Sequence, residues 1–360
     1  MPRIAILGAG LIGLACAWHL ARDGHRVVLL DASHEPRESS WAAAGMLAPH
    51  HEAAQADPLW RLCRDGLACW PPFLEVLGLS PEDADWRAGG GWIRSDDAAE
   101  LDRLEGGLRW LRSTGTEVLR LSPAAYARAC PGVEPGAGAL WLPGAQVDPR
   151  RVLPVLRAAC QAAGVVDASG SPVTALEAGG ARTADGALHA TDELVLASGA
   201  WSPALAALAG MHLTGTPVKG QMVRLAGPGP CGLPGFVRQD HRYLMSRRDG
   251  SVVVGATMVE SGFDRSEDPA AIAALAAWAG QAVPALAGAA LGESWTGLRP
   301  RLASGLPTLG RVRPGLCVAT GHFRNGVLLA PLTGLLIADI VAGRDVRDAA
   351  LAFDPSAAMG

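Results

Sequence analysis

"RIAILGAGLIGLACAWHLARDGHRVVLLD", residues 3–31, decides the fold class. Ile4 to Leu7 is a short unbroken apolar run, the pattern of a parallel strand covered on both faces. Gly8, Gly10 and Gly13 follow as GxGxxG. The first glycine makes the tight turn, the second lets the backbone approach a pyrophosphate, and the third lets the next helix pack closely on the strand. Leu14, Ala17, Leu20 and Ala21 recur at helical spacing, and Gly24 ends the helix. Val27 to Leu30 is a second apolar strand, closed by Asp31. Asp31 stands 21 residues after Gly10, where an acidic side chain accepts hydrogen bonds from a ribose diol. Strand, glycines, helix, strand and terminal acid in this order predict an α/β, Rossmann-like unit that binds an adenine dinucleotide. Its expected contacts are Gly8, Gly10, Leu11, Ile12, Gly13, Asp31 and Ala32.

The glycines alone do not separate FAD from NAD. The next stretch, "ESSWAAAGMLAP" (38–49), is a string of small residues where an ordinary Rossmann unit starts another helix. Such a segment suits close backbone approach to a flat ligand, through Ser39, Ser40, Ala44, Gly45 and Met46; the alternative is a flexible surface loop. "ELVLASGAWS" (193–202) reads as a buried strand followed by a small-residue turn, a second approach to the dinucleotide through Ser198, Gly199 and Trp201.

Composition narrows the class. At 360 residues, with 49% apolar and 18% charged residues, the chain is globular and long enough for two domains. A net charge of −4 without long runs of one sign argues against a nucleic-acid footprint. Lys219 is the only lysine, so Schiff-base chemistry has one candidate. Seven cysteines, odd in number and without CxxC, read as reduced thiols of a cytoplasmic protein. "IGLAC" (12–16) looks like a lipoprotein cleavage box, but Gly8, Gly10 and Gly13 break the preceding run and only Arg3 precedes it as charge, so export is not expected. Residues 318–341 come nearest to a membrane span, interrupted by His322, Arg324, Asn325 and Asp339. Adjacent residues of an extended chain face opposite ways, so His50 and His51 make no metal site, and none is expected elsewhere.

Along the chain, residues 57–79 read as a helix, 86–94 and 140–142 as short strands around a helical stretch from Ala98 to Gly115, and 149–163 as a helix capped by Asp148. "GTPVKGQMVRLAG" and "RYLMSRRDGSVVVGATM" alternate like sheet strands, the latter joined through Asp249-Gly250, and 269–291 reads as helical. An α/β start, a hairpin-rich middle and an apolar return near 316–330 imply a discontinuous nucleotide domain with a sheet domain inserted. The boundaries are 1–85, 145–215 and 300–360 for the first, and 86–144 and 216–299 for the second. "TGHFRNGVLLAP" (320–331) raises a separate problem: Arg324 sits in an apolar run, so either it snorkels to water or an anion meets it.

"GAGLIGLACAWHLARDGHRVVLLD", "SSWAAAGMLAP", "PVKGQMVRL", "RYLMSRRDGSVVVGATMVESGFD", "WTGLRPRLASGLPTLG" and "ATGHFRNGVLLAPLTG" together resemble the glycine-oxidase (ThiO-like) branch of the D-amino-acid oxidase flavoprotein family, with motif order preserved over nearly the whole length. The resemblance implies non-covalent FAD and a substrate domain built on an antiparallel sheet. It implies oxidation of a small amino acid (glycine, sarcosine or a small D-amino acid) by hydride transfer from Cα to flavin N5. The products are a 2-oxo acid, ammonia or amine, and, with dioxygen as acceptor, hydrogen peroxide; a role in thiamine biosynthesis and a homo-oligomer are further implications. Residue by residue, Arg299 matches the arginine that pairs with the substrate carboxylate, Tyr243 a hydroxyl directed at it, and His241 and Met258 pocket walls. Arg324 matches an arginine between flavin and substrate, in a flavin-facing block comprising His322, Phe323, Asn325, Gly326, Val327 and Leu328. Val173 matches a residue whose backbone meets the adenine. Arg299 and Arg301 flank Pro300, and one of the two is expected to pair structurally. Trp41 departs from the small residues expected in its loop. Three other readings compete: a flavin dehydrogenase of the same fold that passes electrons to a quinone or carrier, a nicotinamide-linked dehydrogenase, and a non-catalytic dinucleotide-binding protein.

Overall fold

In the computed structural model the described residues are 1–35, 37–177, 179–227, 233–346 and 351–355. Cys231 lies outside them. The opening segment folds as its pattern predicts, with strands Arg3–Leu7 and Arg26–Leu30 parallel and joined by the helix Leu11–Arg22. They sit inside a six-stranded sheet whose order is Thr308–Arg313, Leu316–Thr320, Glu193–Leu196, Arg3–Leu7, Arg26–Leu30, Val166–Asp167. All pairings are parallel except the hairpin of the first two. The helices Leu11–Arg22, Pro58–Val76, Pro149–Ala162 and Gly326–Ala342 bury their apolar sides in one large cluster on this sheet. Gly334 permits the closest crossing, since a Cβ there would lie 2.7 Å from the Ala15 backbone. A three-stranded meander (173–190) and the helix Ser202–Leu208 border the second, smaller cluster.

By length and composition Phe323–Ala342 is apolar enough to cross a membrane, although Arg324, Asn325 and Asp339 interrupt it. Here 61% of its apolar window is buried inside the fold, so its hydrophobicity is spent on packing.

The second sheet has eight strands in the order Leu291–Leu302, Gly215–Leu225, Val252–Gly255, Arg242–Ser246, Phe236–Gln239, Gly91–Arg94, Ala139–Leu142, Leu119–Leu121. Its longest pairing zips Gly215 to Leu302 and runs on to Leu225 opposite Leu291. The Asp249-Gly250 hairpin is present, with Gly250 at φ 85°.

Several boundaries differ from expectation. The helix predicted over 269–291 spans Pro269–Ala282 only, because Pro284 lacks an amide hydrogen and holds Val283 extended (φ −134°, ψ 92°). Pro58–Val76 begins on the Asp57 carboxylate, which accepts from the Trp60 amide at 2.7 Å, and stops before Gly78. The stretch 98–115 divides at Leu108 into Ala98–Gly107 and Arg109–Ser113. Only Gly91–Arg94 of 86–94 is strand, since Gly90 takes φ 72° under the Trp141 indole. Asp148 caps Pro149–Ala162 as predicted, accepting from Arg150 N–H at 3.0 Å.

Candidate active site

A cavity of about 690 Å³ runs from the glycine turn to the eight-stranded sheet. At one end, Gly8 has φ 114°, and a Cβ there would lie 2.5 Å from the Ala197 carbonyl oxygen. Gly13 is equally obligatory, for its Cβ would fall 1.8 Å from the Gly8 oxygen. Asp31 ties this turn down: Oδ2 accepts from the Ala9 amide (2.7 Å) and Oδ1 from the Ser33 amide (3.0 Å). Ser40 Oγ accepts from the Leu11 amide at 2.9 Å. Gly10, the residue before the helix Leu11–Arg22, supplies no side-chain cap, and Ser40 takes only the Leu11 amide; Gly326–Ala342, whose N-terminal residues line the same cavity, also has no side-chain cap. Two such helix N-termini offer partial positive charge and free amides to an anionic ligand.

The small-residue segment forms a short helix, Ser39–Ala42, then a strand, Met46–Leu47, paired with Ala145–Gln146. Gly45 (φ 83°) passes so near Val147 that a Cβ would sit 1.8 Å from its oxygen. Trp41, the residue out of pattern, has its own partners. The Arg150 guanidinium lies 3.5 Å from its ring centroid and 4.1 Å from that of Trp295. Arg150 Nε donates to the Trp41 carbonyl, and Trp295 Nε1 to that of Ala42.

At the other end the eight-stranded sheet supplies Gly220, Met222, Tyr243, Gly297 and Arg299. The Arg299 guanidinium lies over Gly220, where a Cβ would meet it at 2.3–2.5 Å. Its Nη1 donates to the Thr257 carbonyl at 3.1 Å, and it shares a hydrogen bond with Tyr243, but no carboxylate pairs with it among the described residues. Burial, opposed by Tyr243 and reinforced by the Arg324 charge, lowers the Arg299 pKa from its ordinary value. Burial raises that of Tyr243, partly offset by the two arginines, so its hydroxyl is protonated at neutral pH and able to donate. Arg301, by contrast, pairs with Glu260 at 2.6 Å and is the structural member of the two.

Arg324 does not snorkel into bulk water. Its Nη2 meets Glu52 Oε1 at 2.5 Å, and its Nη1 lies 3.7 Å from the Met258 sulfur. His322 shares a hydrogen bond with Thr333 at 3.1 Å, and burial pushes its pKa down to about 3, so it is neutral.

Of the expected site residues, Gly8, Gly10, Ile12, Asp31, Ala32, Ser39, Ser40, Ala44, Gly45, Met46, Val173, Ser198, Gly199, Trp201, His241, Tyr243, Met258, Arg299 and 322–327 all line this cavity. Three expected contacts do not. Leu11 turns into the core, its amide already given to Ser40. Gly13 packs beneath Gly8, and Leu328 is buried with its carbonyl accepting from Trp70. Among the lining residues that escaped the sequence reading are Glu38, Glu52, Gly220 and Arg265. Glu38 Oε1 pairs with Arg265 Nη1 at 2.7 Å, while Oε2 is buried without a hydrogen-bond partner. Burial raises the Glu38 pKa, against the pull of Arg265.

Comparison with known proteins meets this geometry at one point. A family profile described as "FAD dependent oxidoreductase" (DAO) matches residues 3–340. The chain belongs to the DAO family. It is 34% identical to a glycine oxidase of Pseudomonas putida over 95% of both chains. The crystal structure of glycine oxidase from Geobacillus kaustophilus superposes with a TM-score of 0.92 at 32% identity, covering 100% of this chain and 99% of that one. Iminodiacetate oxidase from Chelativorans sp. BNC1 follows with 0.89 at 28%, covering 98% of each.

FAD is the cofactor of this DAO-family chain, and the residues present fit it. The glycine cradle admits no side chain, both helix ends are open, and the orphaned Glu38 oxygen offers an acceptor for a hydroxyl donor.

Proposed function

We propose that the chain is an FAD-dependent oxidase of glycine or a small N-alkyl glycine such as sarcosine. One observation carries the reading: in a cavity shared with the dinucleotide cradle, Arg299 is a half-buried guanidinium with no carboxylate partner among the described residues, next to a tyrosine hydroxyl. A planar fork of this kind suits a substrate carboxylate, and Tyr243 adds a hydroxyl donor. Bound FAD would supply the two-electron redox chemistry, with dioxygen as the terminal acceptor and hydrogen peroxide as its product. The protein's own share is orientation. Arg299 and Tyr243 hold the carboxylate, Gly220 leaves room for the fork, and neutral His322 adds no charge beside the anionic ligand. No side-chain base is needed, because an amine that enters neutral releases its Cα hydrogen as hydride, and the imine hydrolyses in water to the 2-oxo acid and ammonia, or methylamine from sarcosine.

In the same reading FAD is held non-covalently, an expectation that rests on the family resemblance; among the described residues no cysteine lines the cavity. The six-stranded and eight-stranded sheets support the two proposed domains, and the absence of a disulfide among the six described cysteines supports a cytoplasmic chain. A part in thiamine biosynthesis rests on the family resemblance alone, and thiamine dependence of a strain lacking the gene tests it. The activity is tested by oxygen uptake and peroxide release from glycine, sarcosine and glycinamide. Glycinamide oxidised as efficiently as glycine overturns the carboxylate anchor, and substrate oxidation without peroxide favours a dehydrogenase.

A further inference from the structure

We propose that Glu52 sets the charge of the substrate this cavity accepts: by occupying Arg324 it admits amino acids with one carboxylate and turns away those with two. The inference rests on the reading of Arg299 as the substrate anchor. Both arginines and Glu52 line the same cavity. Glu52 reaches Arg324 from the segment between the strand Met46–Leu47 and the helix Pro58–Val76, with Oε1 2.5 Å from Nη2. Side-chain exposure is 21% for Arg324 and 29% for Glu52, so the pair is shielded without being sealed.

The charges around the pair are accountable. Arg238 carries a third guanidinium but does not line the cavity; it donates Nη1 to the His51 carbonyl (2.6 Å) and Nε to that of Asp240 (2.8 Å). Its hold on His51 fixes the backbone just before Glu52. Asp240 faces outward and pairs with Arg242 at 3.2 Å. Met258, on the other side of Arg324, is uncharged. The lining at this end therefore holds two positive charges and one negative. A single substrate carboxylate on Arg299 brings it to neutrality. A second carboxylate finds Arg324 already taken and Glu52 facing it, and like charges at an interface cost several kcal/mol. Exclusion by an unfavourable charge is a recognised way to build specificity.

Glu52→Gln keeps the shape, removes the negative charge and frees Arg324. The test uses FAD-loaded enzyme with glycine and with iminodiacetate, which is glycine bearing a second carboxymethyl arm on nitrogen. In Glu52→Gln the ratio of kcat/KM for iminodiacetate to that for glycine is expected to rise by about tenfold or more. Binding gives a readout without turnover: malonate, followed by its perturbation of the flavin absorbance, should tighten relative to acetate by a similar factor. Glu52→Asp should stay near the wild-type ratios, and adding Arg324→Met to Glu52→Gln should cancel both gains. Glycine turnover that is lost on Arg299→Ala, with unchanged diacid ratios in Glu52→Gln, overturns this inference and leaves the anchor standing. If neither acetate nor malonate perturbs the flavin of any variant, the anchor reading falls and this inference falls with it.

Discussion

Alanine at Gly220 tests the carboxylate anchor without touching the arginine. Gly220 lies in the strand Gly215–Leu225 opposite Gly297, and its φ is outside the left-handed region, so the backbone accepts alanine. The new Cβ would fall 2.3 Å from Arg299 Nη2, 2.4 Å from Nη1 and 2.5 Å from Cζ, where ordinary contact begins at 3.4 Å. The guanidinium must therefore retreat by about 1 Å, and it can, because it is the end of a flexible side chain. A displacement of about 1 Å in a positioning group can cost roughly 100-fold in rate. Gly220→Ala is thus expected to lower kcat/KM for glycine by about 10- to 100-fold. FAD content should be unchanged, and stability should fall by no more than about 1–3 kcal/mol from overpacking. The assay is peroxide release under steady state, alongside the absorbance ratio of flavin to protein and a urea titration. If Gly220→Ala keeps kcat/KM within about threefold of wild type, Arg299 does not position the substrate. A larger perturbation of FAD content than of kinetics refutes the placement of this end of the cavity.

Three further outcomes follow from the same geometry. Arg299→Lys keeps the charge but loses the fork, so kcat/KM should drop by roughly 30-fold or more, at about 1.4 kcal/mol per tenfold; rates near wild type would leave only a point charge at work. Acid precipitation should release all flavin into the supernatant, and Asp31→Ala should weaken FAD binding roughly tenfold to hundredfold, having lost charge-assisted hydrogen bonds of about 1.5–3 kcal/mol; flavin in the pellet would contradict non-covalent binding. Neutral His50 accepts from Trp60 Nε1 at 3.0 Å, and burial lowers its pKa to about 4, with His322 lowered to about 3. The unfolded chain binds these protons first, so stability is complete above the ordinary histidine value of about 6.5 and is lost as pH falls from there toward 4. Tm measured across that window should decline, and His50→Asn, which keeps an acceptor but does not titrate, should flatten the slope; an unaltered slope would assign the decline to other groups.

What could be read from sequence were features encoded within a few residues of each other. GxGxxG, the terminal Asp31 and the Asp148 cap each sit inside one turn or one βαβ unit, and local spacing specifies them. Gly220 left no sign, because its meaning depends on where Arg299 lies across a strand pair. Glu38 and Arg265 are 227 residues apart, and nothing in either neighbourhood points to the other. Glu52 left no sign either, because its partner Arg324 lies far along the chain and no local motif links the two. Leu11, Gly13 and Leu328 were expected at the ligand because they stand inside lining motifs; helical geometry turns every third or fourth side chain of such a motif into the core. The end of the helix at Ala282 was readable from Pro284, but an alanine-rich run masked it.

The long strand pair Gly215–Leu225 and Leu291–Leu302 bears on how the enzyme can breathe. Two of the chain's passages between the sheets, entering at Gly215 and leaving at Leu302, are hydrogen-bonded to each other where they cross. A hinge between the sheets at this crossing would have to bend both strands of that ladder together. The segments 48–57 with Glu52 and 256–268 with Met258 and Arg265 line the cavity and are the loops whose movement would open it with least disturbance of the sheets. The release step should accordingly answer to substitutions in those loops, and to solvent viscosity, while remaining indifferent to changes that stiffen the space between the sheets.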